Sequence, residues 1–139
     1  MISTNKFALA AILMGASALS AAANLTIAVD GVQSADGQVL VALYNSAGTF
    51  LGKPMRAVAV PAAVGKVKLE VKDLPEGDYA FALYHDANGN QTLDKNMIGM
   101  PSEDYAFSND AMGRRGPPTF EAARFRVPAA GATVAINLR

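Results

Sequence analysis

Polar oxygens recur at every second residue of one short run: Asp86, Asn88, Asn90, Thr92 and Asp94. Hard cations such as Ca2+ take six to eight oxygen ligands, and alternate positions of a tight loop can supply them. On that template Asp86, Asn88 and Asn90 fill the first three ligand positions, Thr92 offers its backbone carbonyl, and Asp94 fills the next. Gly89 falls one place before the position where such loops carry Gly. Gln91 stands in that position, and Met97 stands where a bidentate Glu closes the cage. Two carboxylates make a weak cage unless another loop adds oxygens, and Glu103 and Asp104 are the candidates for that. The competing reading is an Asx-rich hairpin turn held by side-chain-to-backbone bonds. No cofactor is expected, with Ca2+ the one open option.

His85, the sole histidine, immediately precedes this run. As a general base it needs an orienting carboxylate. Asp86 is its neighbour on a strand and so points to the opposite face. No Gly-x-Ser-x-Gly supplies a nucleophile. A histidine hydrogen-bonded at a sheet rim is the simpler reading. A third constellation is Tyr105 and Phe107 followed by Arg114 and Arg115 between Gly113 and Gly116. Arginines on flexible backbone bind phosphate or carboxylate bidentately, and the aromatic rings can stack on a sugar or another flat ligand. The alternative is structural: one arginine clamps the loop onto Glu103, Asp104 or Asp110, and Phe107 and Phe120 plug the core. A glycosidase pair drawn from Asp86, Asp94, Glu103 and Asp104 lacks any spacing that fixes its separation.

The elements that must carry these residues read as strands. Leu25, Ile27 and Val29 alternate with polar or small residues. Gln38 to Tyr44 is apolar on both faces, the pattern of a central strand. Ala57 to Val60 is a short strand ended by Pro61. Val67, Leu69 and Val71 alternate with Lys66, Lys68, Glu70 and Lys72, giving one core face and one solvated face whose charges oppose edge-to-edge pairing. Asp73 to Gly77 is a turn with Pro75 and a glycine free to take positive φ. Tyr79, Phe81 and Leu83 then point one way, and Ala80, Ala82 and Tyr84 the other. Ala123, Phe125 and Val127 form a further run, and Val134, Ile136 and Leu138 the last. Phe50 and Leu51 are expected to pin the Asn45–Pro54 connection to the core. About seven strands separated by Gly/Pro turns predict an all-β antiparallel sandwich. The irregular segment from Asn96 to Thr119 is long enough to suggest a functional loop.

The chain has 139 residues, no cysteine and no net charge. Lys6, the uncharged apolar run from Phe7 to Leu19 and the Ala21-Ala22-Ala23 triplet form the pattern of a cleaved signal peptide. The expectation is therefore a leader over 1–23 and one domain over 24–139, periplasmic or secreted. Nothing after Ala23 is long and apolar enough to span a bilayer. Loss of Lys6 takes the 12 basic residues to 11 against 12 acidic. A near-neutral domain has no footprint for nucleic acid. Absence of cysteine excludes thiol catalysis and cysteine-ligated zinc, so stability must come from packing.

Four ordered motifs resemble the DUF2141 family of exported bacterial proteins. They are Gly37-Gln-Val-Leu-Val-Ala-Leu-Tyr-Asn45, Leu74-Pro-Glu-Gly-Asp-Tyr79, Tyr84-His-Asp-Ala-Asn-Gly-Asn90 with Leu93-Asp94, and Tyr105-Ala-Phe-Ser-Asn109 with Gly113-Arg-Arg-Gly-Pro-Pro-Thr-Phe120. In the family's usual pattern a Gly follows the second Asn of the loop, where this chain has Gln91. The Leu74–Tyr79 turn is also similar to that of transthyretin-like and carboxypeptidase-regulatory-like sandwiches. The resemblance implies export and a transthyretin-like or immunoglobulin-like β-architecture, without a mechanism. The function expected is a non-enzymatic module that binds a small ligand, a glycan or a partner protein through its end loops. A small hydrolase built on His85 and a structural subunit of the envelope are the alternatives.

Overall fold

The computed structural model describes residues 22–91 and 102–139, which leaves the expected leader up to residue 21, and Thr92 and Asp94, outside the described residues. The chain folds as two packed sheets. The first has the order β4-β1-β8, from β1 (Ala23–Val32), β4 (Gly65–Leu74) and β8 (Ala132–Asn137). The second has the order β3-β2-β5-β6, from β2 (Gln38–Tyr44), β3 (Arg56–Pro61), β5 (Gly77–Asp86) and β6 (Tyr105–Phe107). A last short strand, β7 (Phe125–Val127), pairs with the first residues of β5. All pairings are antiparallel except β1 with β8, which is parallel.

The alternation read from the sequence decides what faces the core. Leu25, Ile27 and Val29 of β1 and Leu69 and Val71 of β4 are buried against Val39, Val41 and Leu43 of β2 and Phe81 and Leu83 of β5. The lysines of β4 are exposed, as a one-sided strand requires. β5, whose Tyr79, Phe81 and Leu83 face the core, is covered on its other face as well over its first half. Ala80 is buried beneath Tyr44, Phe120 and Ala123, with Phe50 packed against them. Phe50 stands edge-on to both Tyr44 and Phe120 at 5.3 and 5.9 Å.

Several local expectations are revised. The long irregular segment contains strand β6 and a 3-10 turn at Ser108–Asp110, and Phe120–Ala123 forms a short helix, α1, capped by Thr119. Ala123 therefore ends a helix, and the strand starts at Phe125. Leu51 does not pin its loop: it is exposed with φ of +63°, and Phe50 alone packs inward. The positive φ at the β4–β5 turn belongs to Asp73 (+58°), not Gly77. Asp73 sits in a bulge opposite Asn24, whose side-chain oxygen accepts its N–H at 3.2 Å. β1 starts at Ala23, the last residue of the expected leader, and this residue is buried and paired with Leu74.

Side-chain polar groups complete the backbone hydrogen bonding at three breaks. Tyr79 donates its hydroxyl to Pro75 O at 2.6 Å, the four-residue return of a tyrosine corner in a sandwich. Arg56 of β3 crosses to the other sheet and donates to Lys72 O and Asp73 O at 2.8 and 3.1 Å. The edge partner of β5 changes from β6 to β7 around Ala80 and Phe81. There the fully buried Ser108 hydroxyl accepts Phe81 N–H at 2.9 Å and donates to Ala123 O at 2.6 Å. A buried backbone N–H left without an acceptor is costly, and this serine prevents that.

Candidate functional site: the loop cluster after β5

β5 ends at His85 and Asp86, one pointing to each face. His85 follows the inward series Tyr79, Phe81 and Leu83 and is buried, with its Nε2 2.7 Å from Asp36 O. A carbonyl only accepts, so Nε2 carries the proton and its lone pair is not free. The His85 backbone N–H donates to Asp104 O at 2.9 Å. Among the described residues no carboxylate is hydrogen-bonded to this imidazole, so the arrangement is that of a histidine tying the β1–β2 loop to the sheet end.

Asp86 is fully buried, which is rare for a carboxylate without partners. Its Oδ1 accepts the N–H of Asn90 at 3.1 Å, and its Oδ2 accepts that of Gln91 at 2.7 Å. Asn88 Oδ1 accepts the same Asn90 N–H at 3.1 Å, and Asp86 O accepts from Gly89 N at 3.3 Å. The loop is thus wound around its first carboxylate. Gln91 has φ of +62°, the left-handed backbone for which calcium loops place Gly at their sixth position. The residue that reads as a mismatch in the sequence adopts the conformation the template needs. Among the described residues no group of three His, Cys, Asp or Glu side chains gathers for a metal.

Gly37 fixes the neighbouring loop. Its φ is +66°, and a Cβ there would lie 2.0 Å from Asp86 O, so only glycine lets the β1–β2 turn approach the start of the Asp86 loop. Between these loops and β3 lies a shallow depression of about 400 Å3, lined by Gly37, Gln38, Ala59, Val60, Pro61 and Gly89. No motif pointed to it, because its walls come from separate parts of the chain. The Leu74–Tyr79 turn, by contrast, reads directly from the sequence, although the return of the Tyr79 hydroxyl to Pro75 O is shown only by the structure.

Tyr105 lies close to this end, paired with Tyr84, its backbone N–H and C=O both bonded to Arg139. Phe107 is buried and edge-on to Tyr105 at 5.8 Å. Arg114 and Arg115 are exposed in a turn closed by Gly113 N to Gly116 O at 3.1 Å. That segment leaves and returns at Ala111 and Phe120, both packed on the Tyr44 and Ala80 cluster. Tyr44 pairs with Ala80, whereas Gln38 pairs with Asp86. The anchors are therefore six strand residues apart, roughly 20 Å at 3.3 Å per residue. Among the described residues no ion pair of Arg114 or Arg115 makes the expected loop clamp, and Asp110 pairs with Arg139. His85, Asp86, Asn88 and Asn90 are brought together; Arg114 and Arg115 are tethered elsewhere.

The family model of DUF2141, described as an uncharacterized protein conserved in bacteria, matches residues 27–135. The chain belongs to the DUF2141 family. The match runs from β1 into β8, so the sandwich of this DUF2141 chain, including the wound loop after β5, lies almost wholly within it. No curated protein and no solved structure matches the chain. The likeness to transthyretin-like sandwiches expected from the Leu74–Tyr79 turn is not confirmed by these comparisons.

Proposed function

We propose that this chain is an exported, non-enzymatic recognition module, periplasmic or secreted, that engages its ligand or partner at the β5 end of the sandwich and carries a weak Ca2+ site in the Asp86 loop. The observation that carries the reading is the winding of that loop. A buried carboxylate accepts the fifth and sixth backbone N–H groups, and a left-handed residue sits at the sixth place. Side-chain oxygens of Asn88 and Asn90 then fall at alternate positions of the same turn, with Glu103 and Asp104 in the segment just before β6. Thr92 and Asp94 complete the set in sequence. The depression beside Gly37 and Gly89 gives an adjoining seat for a small ligand, a glycan or a segment of a partner protein. His85 supports the non-enzymatic reading, because its Nε2 proton is committed to a carbonyl.

Two carboxylates give a weak cage, so the affinity belongs with extracellular sites of about 0.1–1 mM. Calcium at ten times its dissociation constant then adds about 1.4 kcal/mol to stability. Thermal melts with and without millimolar calcium read this as a rise of several degrees, with magnesium as the control. An unchanged melting temperature at saturating calcium ends the cation reading.

A further inference from the structure

We propose that Asn88–Gly89 is a self-modification site, at which the asparagine side chain cyclises onto the glycine nitrogen and opens to aspartate or isoaspartate. It is the sequence's one Asn-Gly pair. Every other asparagine is followed by a residue whose side chain crowds the attacking nitrogen. Both residues are exposed, and among the described residues, its two chain neighbours aside, no heavy atom lies within 4 Å of where a Gly89 Cβ would stand. The Asn90 N–H donates to Asn88 Oδ1 at 3.1 Å. This is the oxygen on which negative charge develops as the amide is attacked, and a fixed donor aimed at it lowers the barrier.

The step balances without any redox partner. Gly89 N, once its long 3.3 Å bond to Asp86 O opens, loses its proton to solvent base and bonds to Asn88 Cγ. The Cγ–Nδ2 bond breaks, and the nitrogen leaves as ammonia. Water then opens the imide at either carbonyl, giving aspartate through one and isoaspartate through the other. Aspartate adds a third carboxylate to Asp86 and Asp94, at the third position of the loop, and a higher ligand charge makes a stronger site. Isoaspartate lengthens the backbone by one carbon and breaks the spacing.

The modification stands on the loop's own geometry. Its predicted suppression by calcium rests on the cation reading above, because a loop closed round a metal fixes Asn88 and keeps Gly89 N from reaching Cγ, which outweighs the polarisation of Oδ1. The test is incubation of the native protein in mildly alkaline buffer, with calcium or with a chelator, followed by peptide mapping by mass spectrometry. The expected result is a gain of one mass unit confined to the peptide containing Asn88, in a mixture of two isomers. One of these should co-elute with the peptide from N88D. N88S should show no gain. Conversion seen only in urea, or spread over other asparagines at the same rate in N88S, overturns the site. Equal rates with calcium and with chelator leave the site standing and count against the cation reading.

Discussion

Replacing Asp86 by asparagine tests the wound loop most directly. The substitution keeps the size and shape of the side chain and turns one acceptor oxygen into an NH2. In the native loop two backbone N–H groups need acceptors, Asn90 at Oδ1 and Gln91 at Oδ2. The variant can serve one, and the other then faces a donor. A hydrogen bond to a charged acceptor contributes about 1.5–3 kcal/mol, and a buried donor left without a partner costs about 1–3 kcal/mol. A net loss of about 3 kcal/mol follows from the middle of these ranges. For a domain of this length that is a fall of roughly 10–15 °C in melting temperature. Urea unfolding monitored by tyrosine fluorescence gives the free energy, and an unchanged m-value establishes that the folded state keeps its extent. D86N should also lose any calcium-dependent rise in melting temperature seen in the wild type. A loss below about 0.5 kcal/mol, the range of ordinary surface substitutions, would refute the claim that this carboxylate organises the loop. A calcium response that survives in D86N would remove Asp86 from the cation site.

Other consequences are equally direct. Tyr79→Phe removes the hydroxyl that donates to Pro75 O and should cost about 1–2 kcal/mol in urea unfolding; no loss means the corner is held by packing alone. Ser108→Ala strips the buried Phe81 N–H of its acceptor and should cost about 1–3 kcal/mol, with faster amide exchange at Phe81 as a local signature. Burial raises the hydroxyl pKa of Tyr44, and of Tyr79 too, where the nearby Arg56 partly opposes it. A raised pKa means the folded state holds the proton more tightly, so this contribution is complete below the ordinary value of 10.0 and is lost as pH climbs through the raised values. Stability should therefore fall in strongly alkaline buffer, and Tyr44→Phe should flatten that decline; an identical decline in the variant would refute the assignment.

The sequence by itself determined the class of fold, because a period of two in apolar residues leaves a strand only one way to bury its stripe. Val39, Val41 and Leu43, or Val67, Leu69 and Val71, are core residues in any sheet that forms. It also marked the oxygen-rich loop and the Leu74–Tyr79 turn, since both are local: their partners lie within a few residues of each other. It did not determine which strands pair, and the parallel β1–β8 contact has no local signal at all. Gln91 read as a defect because propensity disfavours a left-handed glutamine, yet two N–H bonds to a buried carboxylate outweigh that preference. Strand β6 and helix α1 escaped notice because three or four residues are too few for any period to show. Only the tertiary structure decided that Ser108 bridges the change of partner on β5, that Arg56 latches one sheet to the other, and that Arg114 and Arg115 are tethered far from Asp86. Each of those outcomes depends on contacts between residues distant in the chain, and such contacts form only once the two sheets have closed on each other.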